Sequence, residues 1–332
     1  MNNRLCRVLG VEKPIIQGPM AWISTAPLVA AVGEAGGLGV LGTGAAMPDF
    51  IRTQVARTRE LTDRPFAVNL GFHPRFITDE KLNTITALLK EDGVRYLHLD
   101  TLCDETHHLD PDFARRHFES FKKAGLTILA KVFTVQDALV AQDAGADVLI
   151  VKGRDGGGHI TFQGTMAAVP QVADIAAIPV AASGGIADGR GMAAALMLGA
   201  CGIEMGTVFL ASEEADIHPS SKEAIVNAAD FATTEAGFCT GEPCRQLRNA
   251  LTAKIAAAEA DYPWTEAKAK VLALAANSSR RGMLEGDHEN GAIMAGQSIG
   301  LIHAVRPVRE IMDSIINDCR TLLQSAPNIP LQ

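Results

Sequence analysis

The sequence predicts an α/β fold, a (β/α)₈ or TIM barrel with a helical insertion after the eighth strand, and three observations carry this prediction. First, eight short β-like runs recur with their ends 20 to 32 residues apart, about the length of one βα unit. Second, alanine- and leucine-rich segments of helical period lie between them. Third, glycine turns follow the runs along the whole chain. An open doubly wound sheet, the alternative, usually has fewer strands and places its phosphate glycines after the first one.

The eight predicted strands are rich in aliphatic and β-branched residues, and turn residues flank them. They cover residues 14–17, 39–41, 66–70, 96–99, 127–131, 148–151, 179–182 and 202–205. Amphipathic helices are predicted over residues 26–35, 134–144 and 189–198. Gly93, Gly125 and Gly145 are placed where a C-cap glycine ends a helix.

The pattern changes after Thr207. Residues 211–276 are helical and charged with no convincing strand, and a last amphipathic helix is predicted over residues 308–323. We therefore expect residues 215–295 to form a helical insertion, a lid subdomain over the C-terminal face of the barrel. Residues 1–214 and 296–332 would form the barrel itself.

Composition limits the classes of partner. The 332 residues are 47% hydrophobic and 20% charged, as in globular proteins whose core needs no metal or disulfide. A net charge of −8 without basic runs argues against nucleic acid and anionic membranes. The six cysteines form no CxxC pair, and no signal peptide or apolar run of about 18 residues occurs. These features predict a cytoplasmic protein that does not enter a membrane.

The loops after the seventh and eighth strands carry the features of a phosphate site, because a (β/α)₈ barrel usually binds phosphate there. The seventh strand leads into Ser183, Gly184 and Gly185, and the eighth leads into Gly206 and Thr207. Glycine lets backbone amides approach a phosphate closely. Any single glycine could merely make a tight turn, but glycine turns in both expected loops favour the phosphate site.

The loop after the first strand offers a place for a planar ring. Gly18 and Pro19 let the backbone approach a ring, and Met20 with Ala21 forms an apolar platform beside it. A flavin isoalloxazine suits this loop. The alternative is a β-turn that simply enters the first helix.

Two residues at other strand ends could carry charge or protons. The sixth strand leads through three glycines to His159, and histidine exchanges a proton near neutral pH. A helix-capping or surface histidine is the alternative. Lys131 ends the fifth strand, where it could neutralise a phosphate or a reduced flavin, or remain solvated.

No metal site is predicted. Cys103, Asp104, His107 and His108 are ligand types, but their spacing matches no tetrahedral zinc pattern. The sequence also lacks GxSxG, Walker A and HExxH motifs and an early dinucleotide fingerprint.

Five segments in this order resemble a known family: residues 16–22 (IQGPMAW), 34–39 (EAGGLG), 66–69 (FAVN), 157–159 (GGH) and 183–191 (SGGIADGRG). Together they are similar to the FMN-dependent nitronate monooxygenases, formerly 2-nitropropane dioxygenases, a family that includes the flavin-containing type II enoyl-acyl carrier protein reductases. The resemblance covers nearly the whole chain and implies a TIM barrel with noncovalently bound FMN. NADH or NADPH is the expected electron donor.

The resemblance also assigns roles to residues. It implies that Met20 and its neighbours Gly18 and Pro19 lie near the flavin ring, which Asn69, Lys131 and Gly157 would line. The phosphate would be bound by Ser183, Gly184, Gly185, Gly206 and Thr207. His159 matches the histidine that nitronate-oxidising members use as a base and that the enoyl reductases keep beside the flavin.

Residues 285–297 are similar to the tail of the enoyl reductases, so we expect NAD(P)H-dependent reduction of an enoyl thioester. Those reductases carry Gly-Asn-Pro after the fourth strand, where this chain has residues 99–103 (LDTLC), and Thr161 replaces their usual glycine. A nitronate monooxygenase, an NAD(P)H:quinone reductase and a non-enzymatic barrel binding a phosphorylated ligand stay open as alternatives. Expected partners are a small-molecule or acyl-thioester substrate, which an acyl carrier protein could carry. A homodimer is left open.

Overall fold

A closed parallel barrel forms the centre of the computed structural model, which describes residues 3–44, 47–74, 77–101 and 108–326. Eight strands are hydrogen-bonded in the order first, ninth, eighth, sixth, fifth, fourth, third, second. A parallel bridge between Ile16 and Leu38 joins the two ends of this sheet. The strands are β1 (Ile15–Gln17), β2 (Gly39–Leu41), β3 (Phe66–Gly71), β4 (Tyr96–Asp100), β5 (Thr127–Val132), β6 (Val148–Lys152), β7 (Gly158–His159), β8 (Val180–Ser183), β9 (Gly202–Met205), β10 (Thr233–Ala236) and β11 (Cys244–Leu247).

The predicted (β/α)₈ barrel is therefore confirmed: all eight expected runs are barrel strands, and β7, β10 and β11 lie outside the barrel. Helices follow the strands, and the C-terminal helix packs on the helices after β1 and β8. The helices are α1 (Arg4–Leu9), α2 (Ala26–Glu34), α3 (Pro48–Leu61), α4 (Asp79–Glu91), α5 (Pro111–Lys123), α6 (Val135–Ala144), α7 (Thr165–Ala173), α8 (Gly189–Met197), α9 (Thr207–Leu210), α10 (Pro219–Val226), α11 (Ala250–Asp261), α12 (Trp264–Ala275), α13 (Ser278–Leu284) and α14 (Val308–Ser325).

Local sequence explains where the helices begin and end. The Thr134 hydroxyl accepts a hydrogen bond from the Asp137 backbone at the start of α6, and Gly145 ends that helix at φ +107°. This left-handed conformation favours glycine, as the C-cap prediction required. In the described ranges, no helix is both long enough and apolar enough to cross a membrane.

The barrel interior near the amino ends of the strands is apolar, and helix α1 covers it. The sequence pattern did not predict this helix. Alternate strand residues point into a barrel, and here Ile16, Val40 and Ile150 point inward. Leu5 and Leu9 of α1 pack against this layer and are fully buried. The helix thus covers the end of the barrel at which the strands begin.

The segment 215–295 contains helices α10 to α13, as expected, but the expectation of no strand in residues 211–276 is wrong. β11 pairs antiparallel with β10 and also with β7, which lies in the loop after β6. These strands form through pairing across distant parts of the chain. A sequence window does not contain that information.

Candidate active site

A cavity of about 460 Å³ lies at the carboxyl ends of the barrel strands, the usual catalytic face of this fold. Its walls come from loops after the barrel strands, from β11 and from residues 294–298. All twelve predicted site residues line it: Gly18, Pro19, Met20, Asn69, Lys131, Gly157, His159, Ser183, Gly184, Gly185, Gly206 and Thr207. The structure thus brings them together, while the role of each stays a prediction.

A buried amide and a hydroxyl hold the loop after β1 in place. Gln17 Nε2 donates to Ser24 Oγ at 2.8 Å, and Gln17 Oε1 accepts from the Val40 backbone at 3.1 Å. The Met20 backbone donates to the same Ser24 oxygen at 2.9 Å. These bonds fix the short segment at the cavity wall where the sequence places a ring platform.

The loops after β8 and β9 present unpaired backbone donors. Gly184 and Gly185 have φ values of +105° and +71°, which side-chain-bearing residues rarely adopt. Within the described ranges, the N–H groups of Gly184, Gly185, Gly206 and Thr207 donate to no protein acceptor. Thr207 Oγ1 accepts from the Gly296 backbone at 2.9 Å, so its own hydrogen stays available. Unpaired donors in successive residues suit an anionic oxygen such as that of a phosphate.

Polar and charged side chains form the floor of the cavity. The strand register pairs Asp100 with Lys131 and Ser183 with Glu204. Lys131 Nζ lies 3.2 Å from Asp100 Oδ1 and 3.0 Å from Glu204 Oε1. His98 Nε2 lies 2.8 Å from Glu204 Oε2, and Ser183 donates to Glu204 Oε1 at 2.8 Å. The carboxylate of Glu204 is therefore bonded on both oxygens.

Asn69 forms hydrogen bonds on the side of the floor formed by Asp100 and His98. Its Nδ2 lies 3.0 Å from Asp100 Oδ2 and 3.1 Å from His98 Nδ1, and its Oδ1 accepts from the Gly44 backbone at 3.1 Å. The side chain is 3% exposed. Asn69 thus joins the buried carboxylate network to the loop after β2.

Ion pairing outweighs burial in setting the floor charges. Burial alone would raise the pKa of Glu204, but the Lys131 ammonium and the His98 hydrogen bond lower that pKa well below its usual range. Burial alone would lower the pKa of Lys131, but Asp100 and Glu204 raise it above its usual value. Burial alone would raise the pKa of Asp100, but the charges of Lys131 and His98 together outweigh burial and lower it. One ammonium thus lies between two carboxylates, all of them ionised near neutral pH.

His159 lies on β7 at the upper wall, opposite Cys244 of β11. Its ring remains 48% exposed toward the cavity, and its Nε2 lies 3.9 Å from Glu242 Oε2. Enclosure in the cavity, together with the Lys152 ammonium, lowers the pKa of His159 to about 4. The imidazole is therefore neutral near neutral pH, so it can accept a proton or form a hydrogen bond.

Four residues of the site were not identified from the sequence: His98, Asp100, Lys152 and Glu204. His98, Asp100 and Lys152 each stand an even number of residues from an inward apolar residue of their own strand, such as Ile150 for Lys152. Glu204 shares its face of β9 with Gly202. A polar residue at such a position was the available signal, because alternate residues of a strand share one face.

A partly buried ion cluster attaches β10 and β11 to the loop after β6. Glu235 of β10 accepts from Arg154 Nε at 2.9 Å and from the Arg245 guanidinium of β11. Arg154 belongs to the loop after β6, and Arg245 pairs in register with Gly158 of β7. The cluster fixes the strand that carries His159.

The candidate metal-ligand segment is only partly described. Cys103, Asp104 and His107 lie outside the described residues. Within the described ranges, no three His, Cys, Asp or Glu side chains come together in a metal-binding group.

The fold and the cavity define a (β/α)₈-barrel enzyme with its site at the carboxyl ends of the strands. A family model described as nitronate monooxygenase matches residues 2–318. The chain belongs to the nitronate monooxygenase family and is a flavin-dependent oxidoreductase, which confirms the resemblance read from the motifs.

The chain is similar to particular members in sequence and structure. It is 30% identical to a probable nitronate monooxygenase of Staphylococcus aureus strain N315, across 97% of this chain and 98% of that protein. The structure of FabK from Thermotoga maritima is 35% identical, with a TM-score of 0.89 over 99% of this chain and 100% of FabK. A nitroalkane oxidase from Streptomyces ansochromogenes is 26% identical, with a TM-score of 0.79 over 97% of this chain and 99% of that one.

Proposed function

We propose that this enzyme binds FMN and uses a reduced nicotinamide, NADH or NADPH, to reduce the carbon–carbon double bond of an enoyl thioester. The observation that carries the proposal is the likeness to FabK, an enoyl-acyl carrier protein reductase, along both whole chains. The cavity offers the ligand volume, the ionised floor and the histidine that such a reaction requires.

The residues present fit FMN. The cavity lies within the usual volume range of small-molecule sites, and four unpaired N–H groups line its phosphate loops. Gly206 leaves space there, because an added Cβ would meet only Met20 Sδ at 3.6 Å. Gly184, Gly185, Gly206 and Thr207 would hold the phosphate, and Met20, Asn69 and Lys131 would line the ring. No dinucleotide fingerprint is present to hold FAD.

When bound, FMN supplies the electron chemistry, accepting a hydride from the nicotinamide and delivering one to the β-carbon of the substrate. The saturated product also needs one proton at the α-carbon, which solvent water would supply. Neutral His159 would orient the thioester carbonyl by donating a hydrogen bond from its one ring N–H, since its lowered pKa leaves it without the second, acidic proton of an imidazolium. Lys131 would keep a fixed positive charge in the cavity that takes the ring.

The same imidazole favours a second candidate, the oxidation of a nitroalkane through its nitronate with O₂ as the electron acceptor. A neutral histidine is already in the form of a general base, and a base is what a nitroalkane requires to lose its carbon-bound proton. The likeness to a nitroalkane oxidase also supports this candidate.

One anaerobic experiment separates the two candidates. The purified holoenzyme is mixed with NADH or NADPH, then with crotonyl thioester, and separately with ethyl nitronate, while the visible flavin absorbance is recorded. We expect bleaching by a nicotinamide and recovery of colour with the thioester. Bleaching by nitronate alone would select the second candidate. Release of a flavin other than FMN on denaturation would refute the cofactor assignment.

A further inference from the structure

Lys152 ends β6 at the cavity wall, and its ammonium is held in place by backbone oxygens. Its Nζ donates to the Gly157 carbonyl at 3.1 Å and to the His159 carbonyl at 2.7 Å. Gly156 makes room for the side chain, because a Cβ there would lie 3.2 Å from Lys152 Cε. An ammonium has three hydrogens, so two are used by the loop and one is left for the cavity.

The two lysines of the cavity differ in their partners. Lys131 has two carboxylate oxygens within 3.2 Å. Lys152 has no carboxylate within ion-pair distance in the described part of the chain. A cation enclosed without a counterion is costly, and such groups occur at functional sites more often than elsewhere.

The ammonium of Lys152 is close to the residue that carries the candidate imidazole, because its Nζ lies 2.7 Å from the backbone carbonyl oxygen of His159. Its charge also acts on His159, and the charge of Lys131 acts on Lys152. Both residues line the cavity with it. Because Lys152 and His159 line the same cavity and Nζ lies beside the His159 backbone, we expect a substrate oxygen held beside His159 to lie near the unused hydrogen of Lys152.

We propose that Lys152 is the oxyanion-binding residue of this enzyme: its ammonium holds the carbonyl oxygen of the enoyl thioester, where negative charge develops as the double bond is reduced. This inference rests on the proposed function for the identity of that oxygen. A donor aimed at developing charge contributes to the rate because it binds the transition state more strongly than the ground state.

The positive charge of Lys152 sets the pH range of this interaction. Burial and the nearby Lys131 lower the pKa of Lys152 to about 8. The side chain is therefore mostly protonated at pH 7 and loses its charge as the pH rises above about 8. Binding of an anion should therefore weaken as the pH rises through about 8. Four charged or titratable groups on neighbouring elements act on Lys152: Lys131, Asp100, Glu204 and Cys244. Lys131 and Asp100 also act on His159.

The test compares two ligands of the same shape on the holoenzyme, crotonate and crotonamide. Crotonate carries an anionic oxygen and crotonamide a neutral one. Dissociation constants are measured by calorimetry, with no turnover required. We expect Lys152→Met to raise the dissociation constant of crotonate at least tenfold and that of crotonamide less than twofold. The first change is the size expected for one charged hydrogen bond. In the parent, crotonate affinity should fall above about pH 8, and in the variant this dependence should disappear.

Two further variants separate charge from loop support. Lys152→Gln keeps a donor for the carbonyls but no charge, and it should show the same selective loss of crotonate. Lys222 also donates to two backbone carbonyls, of Ser212 and Glu213, and it does not line the cavity. Lys222→Met should change neither ligand's affinity.

Equal weakening of crotonate and crotonamide would overturn the proposal and leave Lys152 as a support of the glycine loop. Unchanged affinity for both would overturn it as well. Failure of the proposed function is seen separately, since it is the failure of the parent enzyme to reduce crotonyl thioester.

Discussion

Lys131 should be the residue on which the stability of the cavity floor depends most strongly. Its ammonium is 9% exposed and lies 3.0 Å from Glu204, whose side chain is 2% exposed. At an effective dielectric constant of about 20, charges about 3 Å apart attract by about 5 kcal/mol. Loss of one partner of a buried pair costs about 3–5 kcal/mol because the other charge stays buried. We expect Lys131→Met to lower the free energy of unfolding by this amount.

The loss should depend on pH in a defined direction. In the parent protein the pKa of Glu204 is lowered from its usual 4.5, so its contribution to stability is present above that value and is lost on acidification. Without Lys131, burial would instead raise the pKa of Glu204, and the folded state would bind the proton more tightly than the unfolded chain. The deficit of Lys131→Met should therefore be largest near pH 8 and shrink toward about pH 5.

Urea unfolding of the cofactor-free protein, followed by far-ultraviolet circular dichroism at both pH values, measures this deficit. Lys122 provides a matched control, because its ion pair with Asp147 is 42% and 27% exposed. Lys122→Met should cost less than about 1 kcal/mol, independent of pH. A deficit for Lys131→Met of that same small size, or one equal at both pH values, would refute the reasoning.

Three further predictions concern the cavity walls. Gly206→Val should raise the FMN dissociation constant, measured by fluorescence titration, at least tenfold. Gly206→Ala should raise it less, because the smaller side chain meets only Met20, at 3.6 Å. Equal affinities of the parent and Gly206→Val would place the phosphate elsewhere. His159→Ala should be reduced by nicotinamide at a near-normal rate but reduce the thioester about 10²-fold more slowly in stopped flow. Between about pH 6 and 8 the parent rate should show no step from His159, whose pKa is lowered to about 4. Gly157→Val should make residues 215–295 more sensitive to limited proteolysis, because the new Cβ would lie 2.7 Å from the Ala295 backbone. An unchanged cleavage rate would contradict this.

The sequence by itself predicted the barrel and placed the ends of its strands to within one residue. Eight apolar runs at βα spacing can be buried together in few folds other than a barrel. Gly184 and Gly206 could be predicted as phosphate-site residues because a barrel usually binds phosphate in the loops after its last two strands. His159 could be found in the same way, because three glycines lead to it from a strand end. These inferences need only periodicity and position along the chain.

Only the tertiary structure shows which side chains form the ion pairs of the cavity floor and how β11 pairs with β7. Glu204 looked like an ordinary strand residue, and only the register that places it beside Ser183 and within reach of His98 and Lys131 makes it an ionised buried group. The strand that carries His159 forms because β11 returns from a distant part of the chain to pair with it. Ion pairing and sheet pairing depend on distances between residues far apart in sequence, and folding fixes those distances.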